Sequence, residues 1–224
     1  MSLPLTTLAS PPAQYNLDDS YQGITLQIYL NDQLNDCVIA ARAHHNVRLA
    51  YVPGVPVLDI SPTEITDEYH LEAGPFSLGI VLGKSLSRWR DVGWKAGGIL
   101  RKIESFAGPL SITGAGMLSG DATRDLDLSQ LKNCIIDHTG VQVDLNLPAG
   151  ITVNDKKTFG PDAPWTNTSL PPLVTNRHVM LFTGYDEAGF TGITWGARQY
   201  MTLAFFQKYY TGIYWVTYDM STLP

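Results

Sequence analysis

Asn31-Asp32-Gln33-Leu34-Asn35-Asp36-Cys37-Val38-Ile39-Ala40-Ala41 joins a polar, turn-prone run to a helix-forming one, and Cys37 sits at the join. Helix-favouring residues run from Asp36 to about Leu49, and Asn35 or Asp36 can cap their start. A thiol in a first helical turn meets unpaired backbone N–H groups and the positive end of the helix dipole. Both favour the thiolate, which is the nucleophilic form. The competing expectation is a thiol that fills core, since free Cys is among the most buried residue types.

Outward from this junction the chain divides by texture. Residues 1–24, with Pro4, Pro11 and Pro12 and no hydrophobic period, read as an extended N-terminal arm, either loose or laid along a neighbour. Tyr51–Val57, with two prolines, breaks the first helix, and residues 63–76 show no clear period. Leu82, Leu86 and Trp89 predict a helix over Gly79–Val92; Ile99, Ile103 and Phe106 predict another over Ile99–Phe106. Residues 107–125, rich in Gly, Ser and Thr, predict a loop, and Ser129–His138 a short helix stopped by Gly140.

Strand signals dominate after Gly140. Val141–Leu147 alternates, 152–175 is a long polar connection, and Val179–Gly184, Gly189–Trp195 and Ile213–Tyr218 are rich in β-branched and aromatic residues. A helix over Thr202–Tyr210 lies between the last two. Helices first and strands later predict an α+β fold of two lobes, with the helical part at about 25–140 and the β part at 141–224 of one domain spanning 25–224. The aromatics at 205–218 are expected to be core between the last helix and the sheet.

Composition excludes several functions. The chain of 224 residues is 44% hydrophobic and carries a formal charge of −6, with a pI near 5.2. It has no Lys/Arg run of the kind that phosphate-backbone binding needs, so no nucleic-acid partner is expected. No basic leader, signal peptide or apolar span of about 20 residues is visible, so a cytoplasmic protein without membrane contact is expected. Two cysteines, Cys37 and Cys134, are too few for a disulfide scaffold or a structural zinc set. His44 and His45 diverge on a helix and bring no third ligand, so neither a metal nor another cofactor is expected.

The second half of the candidate site is His178, which opens the strand-like run His178-Val179-Met180-Leu181-Phe182-Thr183-Gly184-Tyr185-Asp186. A turn follows, then a return run ending Ile193-Thr194-Trp195-Gly196. A thiol nucleophile needs such an imidazole within hydrogen-bond reach.

An early helix-borne Cys, a His heading a strand 141 residues later and a hairpin ending Thr-Trp-Gly together resemble the papain-like cysteine peptidase superfamily. The separation falls within the ~130–150 residues typical of papain relatives. The nearest likeness is to small papain-like proteins of bacteriophages and bacteria, which share the Asn-Asp-x-x-x-Asp-Cys lead-in and a helix like Met201–Phe206. That resemblance implies Cys37 as nucleophile, His178 as general base and Asn31, where the family usually has Gln, as side-chain oxyanion donor. Gln33 is the weaker substitute. Trp195 matches the indole that shields the histidine's partner. The partner itself, Asn or Asp in the family, falls on Ile193, which has no polar side chain. Thr194 is expected on the opposite face of the strand, and Asp186, the nearest carboxylate, is expected either to orient His178 or only to close its turn.

Two functions fit the resemblance. One is a cysteine hydrolase of peptide or amide bonds, taking a peptide or protein substrate. The other is a catalytically weak or inactive papain-like scaffold, a structural or binding protein such as a bacteriophage virion component, which meets an assembly partner through the N-terminal arm.

Overall fold

The computed structural model describes residues 10–17, 25–49, 58–74, 79–112, 127–137, 141–151 and 159–223. Most of the N-terminal arm, the break at Tyr51–Val57 and most of 107–125 lie outside them, as do the expected stop at Gly140 and residues 152–158.

Helix α1 (Cys37–Leu49) begins one residue after the start of the helix-favouring run at Asp36, with the Asp36 carbonyl accepting from Ala40 N–H at 2.9 Å. Every residue from Val38 to Arg48 is buried, so this helix runs through the interior and its polar side chains need internal partners. Arg42 supplies the largest set. It donates to Glu68 (3.0 Å) and Glu72 (2.7 Å) of α2 (Pro62–Ala73) and to the Ser85 carbonyl (3.1 Å) of α3 (Leu82–Asp91), lying over the rings of Trp89 and Trp94. His44 Nε2 hydrogen-bonds the Gln27 carbonyl at 2.8 Å. Among the described residues no group of three or more His, Cys, Asp or Glu could hold a metal, and no helix is long and apolar enough to cross a membrane.

Helix α2 was signalled locally by Ser61-Pro62-Thr63-Glu64, a capping box with proline at the first turn. It buries little apolar surface, chiefly Ile65 and Tyr69, so a search for hydrophobic period passes over it.

All strand pairs in the sheet are antiparallel, in the order β2-β3-β8-β4-β5-β6-β7. The strands are β2 (Trp94–Ala96), β3 (Ile99–Leu110), β4 (Val141–Asn146), β5 (Arg177–Tyr185), β6 (Gly189–Thr194), β7 (Ala197–Thr202) and β8 (Tyr210–Leu223). From the arm, β1 (Tyr15–Asn16) pairs with Tyr185 and Gly184 of this same chain. Helices α4 (Ser129–Asp137) and α5 (Leu203–Tyr209) lie where expected, and the fold is α+β.

One element overturns its expectation. Ile99–Phe106 is not a helix but the start of β3, paired with β8 from Leu100↔Leu223 to Leu110↔Tyr214. The i, i+4, i+7 spacing of Ile99, Ile103 and Phe106 is accidental. Arg101 and Ile103 are the buried positions there, the two-residue period of a strand.

Among the described residues, buried apolar side chains form two clusters. One gathers α4, α5 and the sheet residues Val141, Val143, Met180, Phe182, Tyr214 and Val216. The other gathers α1, α2 and α3 with Trp94, Ile103 and Val179. Strand β5 feeds both, Val179 into one and Met180 into the other, which is why it reads as an unbroken apolar run.

Candidate active site

The lead-in to Cys37 is held by an unusual backbone. Tyr29 (φ 54°) and Leu30 (φ 62°) are both left-handed without being glycine, a strain of about 1 kcal/mol or more each. A turn closes over them through Asn31 N–H to the Ile28 carbonyl (3.1 Å) and Gln33 N–H to the Leu30 carbonyl (2.8 Å). The result buries Asn31 and leaves Gln33 exposed. Asn31 Nδ2 donates to Asp36 Oδ1 at 2.8 Å.

Cys37 opens α1, yet its thiol is not driven toward thiolate as its helix position predicts. Burial pushes it up to about 11. The backbone N–H of Val179 points at the sulfur and pulls the other way, as does that of Val38, while the Asp36 and Asp144 carboxylates push it further up. Desolvation outweighs the helix terminus. The Val179 contact places the sulfur beside the residue that follows His178.

His178 is 5% exposed. Its Nε2 lies 2.5 Å from Thr194 Oγ1, and its ring lies 4.5 Å from that of Trp195 at 33°. Burial holds the imidazole down at about 3. The ring rests neutral.

Thr194, and not Ile193, therefore faces the imidazole, and a β-bulge is the reason. Tyr185↔Phe190 and Gly184↔Thr191 pair next to the turn. An unbroken ladder from there would set Ile193 opposite Phe182, on the face that His178 shares. The extra residue Thr183 shifts the register, so Leu181 meets Ile193 and Phe182 meets Gly192. Side chains of the return strand swap faces. Ile193 is buried at 1% exposure on the other side.

Asp186 does not reach His178. Its Oδ1 accepts from Ala188 N–H (2.8 Å), Gly189 N–H (2.7 Å) and the Tyr200 hydroxyl (3.0 Å), closing the β5–β6 turn.

Trp195 is placed by a strained hairpin. Thr194 pairs with Ala197 across Trp195 (φ 45°) and Gly196 (φ 77°), the two-residue form with both angles positive that favours Asn-Gly. Phe159 (5.2 Å) and Trp165 (6.1 Å) hold the indole edge-on. A Cβ on Gly196 would come within 2.8 Å of the Ile28 nitrogen. The lead-in to Cys37 thus presses directly on the hairpin that carries Thr194 and Trp195.

Two charged residues escaped the sequence reading. Arg177 Nε donates to Asp144 Oδ1 (3.0 Å) and Oδ2 (2.8 Å), and Nη2 also reaches Oδ2. Asp144 is buried on β4 opposite Val179. Burial raises its carboxyl although Arg177 pulls it down. A lone acid inside the apolar Val141–Leu147 run was its only signal.

No family model matches the chain, and no curated protein matches it in sequence. Solved structures do match. Xylellain, a cysteine protease from Xylella fastidiosa, superposes with a TM-score of 0.65 at 12% identity, over 98% of this chain and 90% of that one. A chain from a study of the mite allergens Blo t 1 and Der p 1 gives 0.62 at 10% identity, over 96% and 73%. The Carica candamarcensis cysteine protease CMS1MS2, in complex with E-64, gives 0.56 at 9% identity, over 93% and 99%. With the antiparallel sheet packed on α1 and the strand order described, the chain has the papain-like cysteine protease fold.

Proposed function

We propose that this protein is a cysteine hydrolase of peptide or amide bonds, working through Cys37 and His178. The observation that carries the reading is the local arrangement of β5. Val179 N–H points at the Cys37 sulfur, and the preceding residue's imidazole is held by Thr194 beneath Trp195. With Nε2 engaged by Thr194, Nδ1 is the nitrogen left to take the thiol proton. Thr194 fills the orienting role that the family gives to Asn or Asp.

In the reaction, Cys37 loses its proton to His178 and the sulfur bonds to the substrate carbonyl carbon. The carbonyl π electrons move to oxygen, which takes hydrogen bonds from Asn31 Nδ2–H and Cys37 N–H. The carbon–nitrogen bond then breaks and the amine leaves with the His178 proton. Water, deprotonated by His178, attacks the thioester and frees the acid and the thiol. Substrate lies across the starts of α1 and β5, which carry Cys37 and His178.

A second reading, the catalytically weak or inactive scaffold that binds a protein partner, is favoured by one observation. Burial pushes the Cys37 thiol up and the His178 imidazole down, and the Asp36 and Asp144 charges raise the thiol further, so neither group is driven toward an ion pair. Hydrolysis of an internally quenched peptide library separates the two readings. The hydrolase gives turnover that Cys37→Ala abolishes and His178→Ala lowers by ~100-fold or more. Absent turnover, with iodoacetamide labelling of Cys37 unaffected by His178→Ala, establishes the scaffold.

A further inference from the structure

We infer that Asp36 is a positioning residue for the oxyanion site, fixing which end of the Asn31 amide faces the substrate. The inference rests on the reading of Asn31 as oxyanion donor. An asparagine side chain presents an NH2 at one end and an oxygen at the other, and only the NH2 end can stabilise a developing negative charge. Nothing in the amide's own shape selects between the two. A carboxyl oxygen does: at 2.8 Å, Asp36 Oδ1 takes one N–H of Asn31 Nδ2 and fixes the amide with its nitrogen on that side. The second N–H of the same nitrogen is left for the substrate oxygen.

Asp36 is an expensive residue here unless it has that use. It is fully buried, and its Oδ2 has no hydrogen-bond partner among the described residues. Such an atom costs on the order of 1–3 kcal/mol. An ordinary helix cap would place the carboxylate on the first N–H groups of α1, yet its Oδ1 is committed to Asn31. The lead-in is built to make that bond, since the left-handed Tyr29 and Leu30 turn the chain back and bring Asn31 under the start of the helix. Burial also raises the carboxyl to about 7.

A double-mutant cycle tests this with two probes. The aldehyde acetyl-Leu-Leu-norleucinal forms a carbon–sulfur bond with the thiol while its carbonyl oxygen, gaining the π pair and then a proton, sits at the oxyanion position. Iodoacetamide alkylates the same sulfur with loss of iodide and makes no oxyanion. Asn31→Ala is expected to weaken aldehyde binding at least tenfold and Asp36→Ala by a similar factor. The double variant should be no weaker than Asn31→Ala alone within twofold. Iodoacetamide labelling of Cys37 should not slow in Asp36→Ala. Asp36→Asn, which keeps an acceptor oxygen, should restore aldehyde affinity to within threefold of the wild type. Asp36→Leu, nearly isosteric and without a buried carboxyl, gives the same loss should Asp36→Ala fail to fold. Multiplicative losses in the double variant, or full aldehyde affinity in Asp36→Ala or Asp36→Leu, would overturn the inference. Weak aldehyde binding by the wild type, or an Asn31→Ala variant that binds normally, would remove the oxyanion site and this inference with it. His178-dependent labelling of Cys37 would still stand in that case, so failure here is distinct from failure of the dyad.

Discussion

The neutral state of His178 has a measurable consequence for stability. In the fold, burial holds its imidazole down at about 3; in the unfolded chain it titrates near ~6.5. The folded value is the lower one, so the unfolded state binds more protons below pH ~6.5. Stability from this residue is complete above that pH and falls as acid is added. At pH 5 the cost is RT ln(1 + 10^1.5), about 2 kcal/mol, and it barely changes while the folded value stays below about 4. The raw pH profile hides the effect. Asp36, raised to about 7 by burial with Asp32 adding to the shift, works in the opposite sense: the folded state binds its proton first, and stability rises by roughly 2–3 kcal/mol between pH 8 and pH 5. His178→Gln isolates the term, because its amide can still reach Thr194 but does not titrate. Urea unfolding followed by tryptophan fluorescence at pH 8 and pH 5 should show the wild type losing ~2 kcal/mol relative to the variant. A difference below ~0.5 kcal/mol, or one of opposite sign, would refute the reasoning. It would mean that the folded imidazole carries a proton, paired with a Cys37 thiolate.

Three further outcomes follow from the geometry. Thr194→Val keeps the shape and removes the hydroxyl that meets His178 Nε2; peptide hydrolysis should lose at least ~tenfold in kcat with KM little changed, and an unchanged kcat would dismiss Thr194 as the orienting group. Gly196→Ala puts a methyl 2.8 Å from the Ile28 nitrogen and 2.9 Å from the Gln27 carbonyl carbon at φ 77°, which should cost more than ~2 kcal/mol in chemical denaturation. Gly150→Ala, at φ 87° with nothing among the described residues within 4 Å, should cost only ~1 kcal/mol, and equal losses would refute the contact between the lead-in and the hairpin. Arg42→Ala leaves the Glu68 and Glu72 carboxylates, whose side chains are 7% and 4% exposed, without their buried partner. About 3–5 kcal/mol of stability should go with it, and a loss under ~1 kcal/mol would show that Arg88, which also reaches Glu68 at 3.3 Å, suffices alone.

Local signals carried much of the fold. The polar run before Cys37 placed the start of α1 to within one residue, and Thr202 caps α5 through Phe205 N–H. The apolar strand after His178 was legible because both of its faces are buried. Signals of the wrong kind misled. Three apolar residues at helical spacing in 99–106 say nothing of a fourteen-residue partner strand more than a hundred residues downstream. Asp144 and Arg177 meet only because β4 and β5 are neighbours, so neither stood out as part of a site.

The chain by itself determined which residues could carry the chemistry: a thiol at a helix start, an imidazole at a strand start and the spacing between them. Those depend on local composition and on order along the chain. Tertiary structure alone decided which residue meets the imidazole and in what charge state. A single bulge at Thr183 exchanges Ile193 for Thr194, because side chains alternate faces and one extra residue inverts them all. Burial, a property of the assembled fold, then reverses the thiolate character that the start of α1 promises for Cys37.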